Sequence, residues 1–127
     1  MPPSRRTVLG ALGAYYVTTG VVPFVSRRAF EAVTGPKREW WLVQTVGGVV
    51  TAVGGAMVSA AARDRVTPEI TGLAAGSAVT LAGIDLYYVA RGRIAPTYLA
   101  DAAAQLAGLA ALAAAAGAGG DEHPEEP

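Results

Sequence analysis

The chain has no cysteine, one histidine, and one lysine among its ten basic residues. Without thiols it forms neither a disulfide framework nor a thiolate metal site, so nothing covalent staples the fold. The lone His123 stands in a run of Asp, Glu, Pro and Gly that offers a poor metal site, and no metal or cofactor is expected. Signatures of nucleotide and hydrolytic chemistry are also missing: there is no P-loop, no Rossmann glycine pattern, no H-E-x-x-H and no C-x-x-C. Glycine pairs such as Gly10 and Gly13 lie inside apolar runs, where they cradle no phosphate. The basic loops are short and carry no interleaved aromatics, which excludes nucleic acid as a partner. No residue is assigned a catalytic role, and an enzyme reading lacks a recognisable nucleophile.

What the chain has is charge segregation. Its formal net charge is zero, but the charged residues collect in short clusters between long runs that hold almost none. A charge at the centre of a bilayer costs about 3 kcal/mol or more, and one in a loop costs little. Residues 7–26 and 40–62 are free of charge, Asp85 alone interrupts the run from Glu69 to Ala90, and Asp101 alone interrupts the run from Ile94 to Gly120. Each run is long enough to cross a hydrocarbon core of about 30 Å as a helix. The expectation is a single all-α unit over residues 1–117, a polytopic membrane four-helix bundle, up-down-up-down. Its spans fall near 7–24, 40–62, 68–90 and 95–117, and residues 118–127 form a disordered acidic tail. The Ala-rich fourth run also suits a soluble helix. The bias towards Ala, Gly and Arg points to a GC-rich bacterial coding sequence.

Taken in order, Ser4-Arg5-Arg6 before an apolar run resembles the start of an export signal, but no A-x-A cleavage site follows, so the first helix is read as a retained span. Ser26 to Thr34 carries a serine N-cap and ends at Gly35-Pro36. With Phe30 and Val33 on one face, it reads as a short interfacial helix or as a polar loop. Trp40 and Trp41 open the second span at head-group level. Around that span, Gln44, Gly47, Gly48, Thr51, Gly54, Gly55 and Ser59 form a stripe of small and polar residues suited to close helix packing, leaving Val43, Val50 and Met57 towards lipid. Thr67-Pro68-Glu69 gives the third span an N-cap, a first-turn proline and an acid at the positive end of the helix dipole. On it, Ser77, Leu81, Ile84, Asp85 and Tyr88 are expected to face inward. Gly72, Gly76 and Gly83 lie opposite, where they either seat a second copy of the chain or pack on a neighbouring helix. The fourth span is expected to start at Pro96 and to show Tyr98, Asp101, Gln105, Gly108 and Leu112 on its inner face.

At 1.5 Å per residue, Asp85 stands about 9 Å below Arg91 and Asp101 about 8 Å below Pro96, so the two acids share one depth. The loops bearing Arg27, Arg28, Lys37, Arg38, Arg91 and Arg93 outweigh the side with Arg5, Arg6, Arg63 and Arg65, which favours those two loops in the cytoplasm and both termini outside. A polar layer of Tyr16, Gln44, Asp85, Tyr88, Tyr98, Asp101 and Gln105 follows, with Thr19 and Trp41 at the same level. As a functional site it binds a proton or a small molecule of unidentified chemistry; as a structural one it fixes helix register by hydrogen bonding.

The stretch Thr34-Gly35-Pro36-Lys37 with Trp41-Leu42-Val43-Gln44-Thr45-Val46-Gly47, and Asp85-Leu86-Tyr87-Tyr88-Val89 with Ile94, Tyr98 and Asp101, resembles a group of uncharacterised small four-span bacterial membrane proteins. The resemblance implies a polytopic protein of the bacterial cytoplasmic membrane, surrounded by lipid and without an assigned activity. A structural or accessory bundle is the first reading; a proton-coupled or ligand-binding protein using Asp85 and Asp101 is the alternative.

Overall fold

A computed structural model describes residues 4–122, with side chains through residue 115. It is all-helical among these residues: α1 (Arg5–Val25), α2 (Arg27–Thr34), α3 (Trp40–Ala62), α4 (Pro68–Ala90) and α5 (Tyr98–Glu122). The helices α1, α3, α4 and α5 are each long and apolar enough to cross a membrane. Helix α5 reaches Glu122, past the expected boundary at residue 117, and residues 123–127, with His123, lie outside the described residues.

Local chemistry sets the boundaries. Ser4, Ser26 and Thr67 each accept a bond from the backbone N–H three residues on, satisfying one of the donors that every helix start leaves free. Two helices end in the same way. At the end of α3, Arg65 N–H donates to Ala60 C=O and Asp64 N–H to Ala61 C=O, with Asp64 at φ 55°; at the end of α4, Arg93 N–H donates to Tyr88 C=O and Gly92 N–H to Val89 C=O, with Gly92 at φ 70°. Both are Schellman motifs, which need one left-handed residue just past the helix. Pro96 falls in the turn before α5 rather than inside it. Successive bonds from Tyr98 to Ala95, Leu99 to Pro96 and Ala100 to Thr97 tighten the entry.

Helices α1 and α3 are the closest pair. Gly13 stands against Gly54 and Gly20 against Gly47, so rising numbers on α1 meet falling numbers on α3 and the two run antiparallel. A Cβ on Gly54 would lie 2.6 Å from the Gly13 carbonyl oxygen and 2.7 Å from Tyr16 Cβ; one on Gly47 would lie 2.7 Å from the Gly20 carbonyl oxygen. Only glycine allows backbones this close. Arg6 Nε closes the far end by donating to Ala61 C=O at 2.5 Å. The second pair, α4 and α5, meets through alanines: Ala74, Ala78 and Ala82 are buried on α4, and Ala102 and Ala115 on α5. The pairs join where Leu12 of α1 packs on Gly108 of α5.

Two faces differ from the sequence expectation. Met57, expected to face lipid, is fully buried, its Cβ within 2.9 Å of where a Gly13 side chain would start, and Val50 packs partly against the same core. The buried stripe of α3 is therefore Gly47, Gly54, Met57 and Ala61, about a quarter-turn from the one read off the small residues. Gly48 only touches the Phe24 ring and Gly55 has open space. On α4 the buried stripe is Ala74, Ala78, Ala82 and Asp85, while Ile84 and Tyr88 are exposed. Alanine wins this position because it lets α5 approach, and the larger Ile84 and Tyr88 turn outward. Helices α3 and α4 diverge after their shared loop, leaving an open groove of about 550 Å³. Gly72 and Gly76 line this groove, and among the described residues no other part of the fold comes within 4 Å of a side chain placed at Gly72, Gly76 or Gly83.

Candidate functional site

The glycine seam of α1 and α3 decides where two tyrosines go. Because Gly54 lets the backbone at Tyr16 sit directly on α3, Tyr15 and Tyr16 reach across to α5. Tyr15 OH donates to Asp101 Oδ1 at 2.5 Å, and Tyr16 OH donates to Gln105 Oε1 at 2.6 Å. One turn apart on α5, Gln105 Nε2 donates to Asp101 Oδ1 at 3.2 Å. Tyr16 and Gln105 are each 1% exposed, so the bond between them is shielded from competing water.

Asp85 enters from α4. It is 4% exposed and lies within hydrogen-bonding reach of the Asp101 carboxyl, yet its Oδ2 has no donor among the described residues. Two carboxylates offer acceptors only, so a hydrogen bond between them requires a proton on one partner. Tyr15 and Gln105 hold Asp101 in position from α1 and α5, facing Asp85 of α4.

Of the residues expected in one polar layer, the structure brings together Asp85, Asp101, Gln105 and Tyr16. Gln44 is elsewhere: its Nε2 stands 3.5 Å from the Pro23 carbonyl oxygen in the α1–α3 contact. Tyr88 is also excluded, exposed and edge-on to Tyr87 at 4.8 Å. Tyr98 lines the cavity above the acids and meets Thr34 of α2. Sequence reasoning missed Tyr15. Tyr15 and Tyr16 are 100° apart on α1, and both reach α5 because they straddle the seam.

The cavity measures about 610 Å³ and runs between α1, α2, α3 and α5, with Leu81 of α4 on its wall, down to Asp101 and Gln105. Its walls are mostly apolar, with Val22, Phe30, Val43, Val46 and Leu81 among them. Helix α2 closes its other end. Arg27 Nε pairs with Glu31 Oε2 at 3.2 Å, the same oxygen accepts Lys37 N–H at 2.9 Å, and Arg27 Nη2 donates to Lys37 C=O at 2.9 Å. The Lys37 backbone N–H, and then Arg27, hold the Glu31 carboxyl below the usual carboxylate range. Lys37 Nζ donates to the carbonyls of Thr34 at 2.6 Å and Gly35 at 3.2 Å, and burial pulls this amine below the ordinary lysine value. Thr97 Oγ1, donating to Val33 C=O at 2.6 Å, ties α2 to the start of α5, and Phe30 meets the Trp40 ring edge-on at 5.6 Å.

No group of three or more His, Cys, Asp or Glu side chains able to hold a metal ion occurs among the described residues. Comparison with protein-family models, with curated proteins and with solved structures finds no match to this chain.

Proposed function

We propose that the chain is a multi-pass protein of the bacterial cytoplasmic membrane in which Asp85 and Asp101 form a proton-binding site at the foot of an apolar cavity. The single observation that carries this reading is the buried Asp85 carboxyl facing Asp101 with an oxygen that no donor reaches among the described residues. A buried acceptor without a partner costs about 1–3 kcal/mol, a cost that a shared proton removes. The titratable groups facing the pair are Tyr15 and Tyr16 of α1 and Tyr98 of α5, with Lys37 lining the same cavity. In this arrangement α2 lies in the head-group region, and its loop and the α4–α5 loop are cytoplasmic. The resemblance to small four-span bacterial membrane proteins is part of the same proposal.

Infrared difference spectra of the protein in lipid nanodiscs test it. Beside the bands of the chain's other carboxyls, a carboxyl C=O band that changes with pH and belongs to the pair is expected in the wild type and is expected to be lost or shifted in both Asp85→Asn and Asp101→Asn. A band unchanged in both variants refutes the proton site. A second reading, a structural or accessory bundle, draws on the bonds from Tyr15 and Gln105 to Asp101 and from Tyr16 to Gln105, which fix the register of α1 on α5. Under that reading the substitutions lower stability and leave no pH-dependent signal to lose. Its accessory form has room for a second copy along Gly72, Gly76 and Gly83.

A further inference from the structure

The hydrogen-bonding capacity left open in the cavity belongs to its acceptors. Both phenols at its foot are committed, Tyr15 OH to Asp101 and Tyr16 OH to Gln105, and Gln105 Nε2 also donates to Asp101. At the mouth, Lys37 Nζ serves the carbonyls of Thr34 and Gly35 and stands 5.4 Å from the centre of the Tyr98 ring. That cation is therefore engaged by the protein's own groups. The charge left unmatched is negative: the Asp101 carboxyl lines the cavity, and behind it stands Asp85, which does not line the cavity and whose buried Oδ2 has no donor among the described residues. The cavity is lined by aromatic rings, Tyr15, Tyr16, Phe30 and Tyr98, and by apolar walls. An occupant that complements this interior brings N–H donors and positive charge on an apolar body, and ring faces add to its attraction.

From this accounting we propose that the cavity binds an organic ammonium ion, with its N–H groups on the Asp101 carboxyl and its apolar body against Val43, Val46 and Leu81. The proposal rests on the proton-site reading. A pair sharing one proton carries one negative charge, and the ammonium neutralises it with no proton lost or gained. A carboxylate ligand meets the opposite situation, because the nearest cation is already occupied and the acid pair repels it.

Isothermal titration of the protein in lipid nanodiscs tests this with three probes of one size: 2-phenylethylammonium, 2-phenylethanol and phenylacetate. Saturable binding is expected for the ammonium alone, weakened at least tenfold in Asp101→Asn. Val43→Trp, which fills the cavity from its α3 wall and leaves the acids intact, is expected to abolish binding and to retain the pH-dependent carboxyl band. Equal binding of the alcohol, or phenylacetate binding that disappears in Lys37→Met, overturns the assignment. So does the absence of saturable ammonium binding. If the band persists while ammonium binding fails, the ligand assignment alone falls; if the band does not depend on the two acids, the proton site falls with it.

Discussion

Replacing Gly54 by alanine isolates the contact on which the site depends. The new methyl would stand 2.6 Å from the Gly13 carbonyl oxygen, 2.7 Å from Tyr16 Cβ and 2.8 Å from Val17 N, and two of these three are backbone atoms that cannot rotate away. Helices α1 and α3 must separate by several tenths of an ångström, and overpacking of this kind costs about 1–3 kcal/mol. Alanine also returns up to about 1 kcal/mol through its higher helix propensity, which would mask part of the penalty. The neighbouring Gly55→Ala supplies the correction, since it makes the same change on the same helix with nothing within 4 Å. The difference between the two variants is then the steric cost alone, about 1–3 kcal/mol, or roughly five- to 150-fold in the folding equilibrium at 1.4 kcal/mol per tenfold. Reversible unfolding in mixed detergent micelles measures it. Because Tyr16 is one of the groups displaced, Gly54→Ala is also expected to loosen the bonds of Tyr15 and Tyr16 to α5 and to alter the carboxyl band. If the two variants unfold together, α1 and α3 are not in backbone contact and the positioning of both tyrosines fails.

Three further outcomes follow from the same geometry. Tyr16→Phe leaves Gln105 Oε1 buried without its donor, so a loss of about 1–3 kcal/mol is expected in the same unfolding assay; a neutral result places water at that position. Because Glu31 titrates below the usual carboxylate range, its hold on the Lys37 amide is fully present above that range and is lost as pH falls through the lowered folded value. Exchange of the Lys37 amide, corrected for intrinsic rate, is therefore expected to quicken only in that acidic window and to be fast throughout in Glu31→Ala. Protection that is independent of pH in the wild type would contradict this. With Pro68→Cys and Pro96→Cys in a chain that has no thiol of its own, an impermeant maleimide on intact cells is expected to label the first and to reach the second only after permeabilisation. Labelling of both from one side would rule out the alternating arrangement.

The sequence alone determined which stretches form the four long helices and that the two acids stand at one level along them. Charge is expensive in hydrocarbon, so the runs almost without charge marked α1, α3 and α4, and the caps at Ser26 and Thr67 marked where α2 and α4 begin; the cap at Ser4, which starts α1 two residues before the expected span, was not read from the sequence. One residue per 1.5 Å put Asp85 and Asp101 at one level before any packing was known. Helix rotation was decided only in the tertiary structure. A stripe of small residues and a stripe of alanines serve close packing equally well, so the period of the pattern did not say which stripe of α3 or α4 is buried. Met57 went inside because glycine opposite left it room, and Tyr88 went outside because Ala78 and Ala82 brought α5 nearer. Tyr15 joined the site for a non-local reason, since its reach to Asp101 depends on how far Gly13 and Gly54 let two backbones approach. The closure of the cavity by α2 likewise rests on contacts between distant segments, Thr97 with Val33 and Lys37 with Tyr98, which spacing within any one helix cannot encode.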